Sequence, residues 1–402
     1  MPHIEPDDFG KTPWYLAHIC RYWRDVALAT PFLWTEILIM GTNKYPLGKL
    51  ETQLARSSNA PLKVLLWRSY SGQDTLIEKF IRLLVDCGPR WTNASLVIKP
   101  EHFALLSPLR GRIPLLRYLR IDVSNSFDER PGPLLSHNVT NPLEIAPALR
   151  DVTLEDVSPL PRGLVLPFGQ LTRLKVATNH RRIVALLQTT PNLEHASLDF
   201  TTDPPAAGTL IRLAHLRRLY VSDPSFLNHL ELPALEKIYM VDTGPAPFLS
   251  LISRCPTLRL KTLRVLWCNP RHIAEMLTAC PTVHTLSVQI MSNDKSEELL
   301  RSLAVNATTR TCIGPNVESI AFGVDGAAVR YGLFVNMVES RWRVPVEGGC
   351  RRLRSVELLD VKQAKALNGA MEGRLKVLER EGLWVNVLQG SAASAELMEW
   401  RI

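Results

Sequence analysis

The chain has 402 residues, 46 % apolar and 21 % charged, a balance that excludes bulk disorder and suffices to build a buried core. Its formal net charge of +8 points towards acidic partners, yet no Lys/Arg block of the kind found in basic arms is present. No apolar run approaches ~18 residues, so a membrane-spanning helix is excluded and no membrane partner is expected.

The first element lies in "LAHICRYWRDVALATPFLWTEI", Leu16 to Ile37. Leu16, Ile19, Trp23 and Ala27 fall on one helical face with Cys20 beside them, while Arg21, Arg24 and Asp25 lie off it. Thr30-Pro31 halts the helix, and "PFLW" folds back an aromatic pair. The product is an amphipathic helix with an apolar hook, packed on the next element or shaped to receive a partner. The residues ahead of it, "MPHIEPDDFGKTPWY", lack the positive and apolar regions of a secretory signal. Farther on, "LIEKFIRLLVDCG" places Leu76, Phe80, Leu83 and Leu84 on one helical face.

A short pattern then recurs: an aliphatic residue, two variable ones, an aliphatic, one variable, and another apolar residue. It reads "LRYLRI" from Leu116, "LRDVTL" from Leu149, "LTRLKV" from Leu171 and "LEHASL" from Leu193. It continues as "LRRLYV" from Leu216, "LEKIYM" from Leu235 and "LRVLWC" from Leu263, then "VHTLSV" from Val283, "VESIAF" from Val317 and "LRSVEL" from Leu353. "LKVLLW" from Leu62 and "WTNASL" from Trp91 match more loosely. Successive starts are about 19 to 36 residues apart. Helical segments lie between copies; "FLSLISRCP" and "HIAEMLTACP" end on Cys-Pro, where proline stops the helix. "SNSFDERPGPLLSHNVTNP", Ser124 to Pro142, reads as a loop insertion. "VKQAKALNGAMEGRLKVLEREG" is a long amphipathic helix ending at Gly382, and "LWVNVL" a closing strand.

Each unit carries an apolar strand face and an apolar helix stripe that it cannot cover alone. Stacking buries both, giving an α/β fold with a parallel sheet on one side and helices on the other. The pattern resembles leucine-rich repeats in a degenerate form; "LTRLKVATN" supplies Asn179 where many members of that family have asparagine. The stretch "ICRYWRDVALATPFLWTEI", followed by "LARSSNAPLKVLL" from Leu54, resembles the second half of an F-box as found in fungal F-box proteins. An F-box opens with a "Leu-Pro-x-Glu-Ile/Leu" helix where this chain has "MPHIEPDDFGKT", so the front of the module is expected to be missing or to lie upstream. The resemblance implies a partial F-box-like helical segment over residues 1–45. An irregular leucine-rich-repeat solenoid follows over 46–402, with an atypical cap from about 361. It implies a non-enzymatic substrate adaptor of a cullin-RING (SCF-type) ubiquitin ligase, in which Leu16, Cys20, Trp23, Pro31 and Trp34 serve docking on a Skp-type linker protein.

Alternation along the strands puts the residues flanking the second aliphatic on the face away from the helices. These are Tyr118 and Arg120, Arg173 and Lys175, Arg218 and Tyr220, then Lys237, Tyr239 and Trp267. Arg forks and aromatic rings on neighbouring strands suit an acidic or phosphorylated segment of a protein substrate. A scaffold without the ligase link is the alternative. Single-stranded nucleic acid stacking on Tyr220, Tyr239 and Trp267 ranks below both. Seven cysteines (Cys20, Cys87, Cys255, Cys268, Cys280, Cys312 and Cys350) stand singly, with no CxxC pair. They read as buried thiols of a reducing compartment, cytoplasmic or nuclear. The sequons at Asn93, Asn138 and Asn306 are then chance matches. No HExxH, phosphate loop or G-x-S-x-G elbow occurs, so neither a metal, a cofactor nor a catalytic group is expected.

Overall fold

Alternation sets the strands. The computed structural model describes residues 13–40, 45–67, 74–122, 141–155, 164–201, 210–267, 269–290, 293–306, 311–324, 330–344, 349–361 and 369–399. Cys268, Asn138, the "MPHIEPDDFGKT" segment, most of the expected loop insertion and the first turns of the expected C-terminal helix lie outside the described residues. The chain divides into two compact units, residues 1–178 and 179–402.

The first unit comprises α1 (Pro13–Ile19), α2 (Arg21–Ala29), β1 (Glu36–Met40), α3 (Leu47–Arg56), β2 (Leu62–Trp67), α4 (Asp74–Asp86), β3 (Trp91–Val97), β4 (Tyr118–Asp122), β5 (Asp151–Glu155) and β6 (Arg173–Thr178). β1 to β6 are parallel and hydrogen-bond in chain order. On one face, Val64 and Leu66, Ala94 and Leu96, Leu119 and Ile121, Val152 and Leu154, and Leu174 and Val176 are each at most 2 % exposed. Burying one such Leu or Val side chain contributes ~1.5–3 kcal/mol, so these strands hold through their apolar faces. α4 buries Ile77, Phe80, Ile81, Leu84 and Val85. The helical period is as expected but the stripe is turned, leaving Leu76 and Leu83 half-buried.

Two expectations are corrected at the start of the chain. The single helix through Leu16 and Ala27 is two helices, because Cys20 adopts an extended backbone (φ −158°) and its Sγ caps α2 by accepting the Trp23 N–H at 3.5 Å. β1 lies inside the segment expected to be purely helical, since its alternating Ile37 and Ile39 are fully buried and its backbone pairs with β2.

The second unit comprises α5 (His180–Gln188), β7 (His195–Phe200), β8 (Ile211–Arg212), β9 (Arg218–Val221), β10 (Leu230–Glu231), β11 (Lys237–Val241), α6 (Ala246–Arg254), β12 (Thr262–Leu266), α7 (Pro270–Ala279), β13 (Thr285–Ile290), α8 (Asn293–Leu303), β14 (Ser319–Val324), α9 (Tyr331–Trp342), β15 (Ser355–Asp360), α10 (Gly369–Arg380), β16 (Trp384–Gln389) and α11 (Gly390–Glu399). β7, β9 and β11 to β16 form parallel sheet in that order, and β8 with β10 a small separate ladder. Their interior face carries Leu219 and Val221, Ile238 and Met240, Leu286 and Val288, Ile320 and Phe322, and Val356 and Leu358, all at most 2 % exposed. α9 packs on this face, with Phe334 at 6.4 Å from the Phe322 ring.

Helix ends follow their local chemistry. Cys255 and Cys280 close α6 and α7 ahead of proline and are buried, so they pack at helix ends; burial also pushes the Cys280 thiol up. Asn179 caps α5, its Oδ1 accepting the Arg182 N–H at 3.1 Å.

One copy of the repeat sits three residues earlier than its sequence suggests. Leu263, not Leu266, pairs with Ile238 and Leu286, and Leu260, Leu263 and Val265 are fully buried. Leucines stand at 260, 263 and 266, so the pattern fits two starts, and strand pairing selects the earlier. Arg264 therefore takes the outward position, and Trp267 stands past the end of β12 with φ +58°.

Candidate functional site

Three surfaces carry the residues singled out in the sequence. The first is built by α1, α2 and the 3-10 turn Pro31–Trp34. Ala17, Ala27 and Trp34 form its small interior, against which Trp14 and Leu16 pack. Trp34 is fully buried, its indole N–H donating to the Ala27 carbonyl at 2.7 Å and its ring 5.0 Å from that of Trp14. Trp34 is thus corrected from a docking residue to the residue that holds the module together, because its apolar ring has neighbours on all sides. The Arg56 guanidinium lies over the Trp14 and Trp34 rings at 4.8 and 4.5 Å, which fixes the module on α3.

Outside this interior the module is unusually apolar. Tyr15, Ile19, Tyr22, Trp23, Leu28, Phe32 and Leu33 are all exposed, Tyr22 and Phe32 by more than 70 %. Cys20 is exposed, Pro31 starts the 3-10 turn and Leu16 is half-buried. Clustered apolar exposure marks interaction sites, whereas scattered single residues do not. Of the expected docking residues Trp23 lies on this surface. Tyr22 lies off the apolar face drawn for a single helix, and Phe32, expected as part of the folded-back aromatic pair, turns outward while Trp34 turns inward.

The second surface is the outward face of the first unit. Trp67, Tyr118, Arg120, Arg173 and Lys175 all lie there, as alternation requires. The cations already have partners: β5, between β4 and β6, contributes Glu155, paired with Arg120 and 3.3 Å from the Lys175 Nζ, and Asp151, 3.8 Å from Arg173. The Arg120 guanidinium also sits 6.0 Å from the Trp67 ring. This face is a neutralised lattice of charges, and Glu155 is the residue that the sequence reading passed over.

The third surface is the outward face of the second unit, and strand register orders it in rows. One row runs His195, Arg218, Lys237, Thr262, Thr285, Ser319 and Ser355. The next runs Ser197, Tyr220, Tyr239, Arg264, Ser287, Ala321 and Glu357. Arg218 and Lys237 are direct register neighbours, and burial followed by the charges of Arg218 and Arg264 pushes the Lys237 ammonium down. Two crowded cations beside a run of hydroxyls suit an anionic segment. Arg264 lies over the Tyr239 ring at 4.6 Å.

Two site residues are corrected here. Tyr220 is 8 % exposed, within the buried cluster that also holds Leu266, Leu359, Ala393 and Leu397, so no base can stack on it. Trp267 is exposed but lies beyond the strand, and Arg264 holds the place assigned to it.

Among the described residues no group of three or more His, Cys, Asp or Glu side chains could hold a metal ion. No helix among them is long and apolar enough to cross a membrane. Compared with protein-family models and with curated proteins, the sequence matches none.

Proposed function

We propose that this chain is a non-enzymatic protein-binding adaptor of the irregular leucine-rich-repeat kind. Its N-terminal module would dock on a Skp-type linker of a cullin-RING ubiquitin ligase, while the outward sheet face holds an acidic or phosphorylated protein substrate. The observation that carries this reading is the apolar exposure of α1, α2 and the following turn, centred on Tyr22, Trp23 and Phe32. Water-facing aromatic rings on a small helical module favour burial against a partner. The Arg218 and Lys237 pair, with hydroxyls beside it, supports the second half of the reading.

A scaffold without the ligase link is favoured by one feature. Gln53 Nε2 donates to the carbonyls of Trp34 and Glu36 at 3.3 and 2.8 Å, so the module also serves as a cap on the first strand. Calorimetric titration of the full chain with a purified Skp-type linker separates the two. The adaptor reading expects binding that weakens at least tenfold in both Tyr22→Ala and Trp23→Ala. Both side chains are exposed, so the circular dichroism spectrum should not change. Absence of binding by the unaltered chain leaves the scaffold.

A further inference from the structure

Helix α11 lies on the outward face of the second unit, the side opposite α9. The strand residues that meet it follow from alternation: β15 turns Val356 and Leu358 inward, so Leu359 faces outward, and Leu266 and Gly323 belong to the same outward row. Ala393 and Leu397, one helical turn apart, belong to one buried cluster that continues through Leu359 and Leu266 to Tyr220, with Tyr239, Val241 and Leu388 at its margin. The seat is shaped for this occupant. A Cβ on Gly323 would come within 2.8 Å of the Leu397 Cδ2, so the tip of the leucine occupies the space that glycine leaves. Charge completes the fit: burial holds the Arg264 guanidinium below its usual range, and Tyr239, then Glu396 on α11 and Glu357 on β15, act in the opposite direction.

The attachment of α11 is slight. It has ten residues, too few to be a stable helix in water alone, and two of its described side chains are buried while Ser391, Ala392 and Ala395 are exposed. Gly390, at φ +60°, is the joint between β16 and the helix. A helix that short, whose described side chains hold it through Ala393, Leu397 and Glu396, can be exchanged for another of the same chemistry.

We infer that this face is a docking seat for an amphipathic helix of a partner protein, with an Ala-x-x-x-Leu anchor pair and a glutamate before the leucine, and that α11 is its internal occupant, displaced when the partner binds. The inference rests on reading the outward sheet face as the binding surface. It assigns the upper rows of the sheet to the helical guest and leaves Arg218 and Lys237, in the lowest row, outside its footprint.

The test uses a fluorescent synthetic peptide with the sequence of residues 388–402, titrated into the full chain by anisotropy. Leu397→Asp expels α11, and the peptide should then bind at least tenfold more tightly than to the unaltered chain. Glu396→Arg, which leaves both apolar anchors in place and so preserves folding, should shift affinity in the same direction by a smaller factor. Adding Gly323→Val to Leu397→Asp fills the seat and should abolish binding. Equal affinity for the unaltered chain and both single variants, or binding indifferent to Gly323→Val, overturns the inference. No linker or substrate enters this experiment. Peptide exchange without linker binding would remove the ligase reading alone, and linker binding without peptide exchange would remove this inference alone.

Discussion

Arg341 shows how a single residue can organise a whole junction. Its side chain is fully buried in α9 and is surrounded by backbone oxygens rather than by a carboxylate. Nε donates to the Leu303 carbonyl at 2.7 Å, Nη1 to those of Gly314 and Val317 at 3.1 and 3.3 Å, and Nη2 to that of Ile313. These acceptors stand at the end of α8 and in the turn before β14, outside the regular ladders; the Gly314 carbonyl also accepts the Val317 N–H at 3.1 Å. The planar fork serves several oxygens at once, which a lysine cannot do. Each buried acceptor left unpaired costs ~1–3 kcal/mol. Arg341→Met should therefore lower unfolding stability by roughly 3 kcal/mol or more, read as a fall in the urea midpoint, with Arg341→Lys recovering less than half of the loss. A midpoint shift under about 1 kcal/mol in the methionine variant would contradict this role.

At the scale of the element, an aspartate after the strand joins neighbouring repeats. Asp242, following β11, accepts the Gly244 N–H at 2.9 Å, the Asn269 N–H at 2.6 Å and the His272 Nδ1 at 2.9 Å. Its carboxylate is 2 % exposed and ties the exit of one strand to the start of α7, where Asn269 also caps the helix through the Arg271 N–H. Asp223, after β9, does the same with the Ser225 N–H and His180 Nε2, and His180 stacks on Phe200 at 4.1 Å. Charge-assisted bonds of this kind are stronger than neutral ones. Asp242→Ala should cost about 2–4 kcal/mol in urea unfolding and Asp242→Asn roughly half of that, because the amide oxygen keeps the turn. An alanine variant as stable as the unaltered chain would show that the staple is idle.

Elements of this size were legible in the sequence to very different degrees. The period-two leucines disclosed the parallel strands, because their pattern is a local consequence of facing one interior. The copy at Leu263 was misread, since leucines three apart satisfy the pattern in two frames and pairing with Ile238 decides between them. α11 could not be read at all: an Ala- and Ser-rich decapeptide gives no apolar stripe, and its helix exists through contacts with residues distant in sequence, such as Leu397 over Gly323, 74 positions earlier. The charge balance of the first outward face was hidden for a similar reason. Arg120 and Glu155 meet across neighbouring strands 35 residues apart in sequence, a pairing that no local window contains.

At the scale of the whole molecule, substrate and guest binding is proposed on the strand side chains that turn away from the sheet's interior face, and stability rests on those that turn towards it. Neighbouring residues of one strand should then behave as opposites. Lys237→Cys and Ile238→Cys, made separately in the full chain, place a thiol on each side of β11. Alkylation under native conditions, followed at each position by mass spectrometry, measures which side solvent reaches. The expected result is rapid labelling at 237 and labelling at 238 that awaits unfolding. Equal rates at the two positions, or faster reaction at 238, would contradict the division of faces on which the substrate and helical-guest proposals stand.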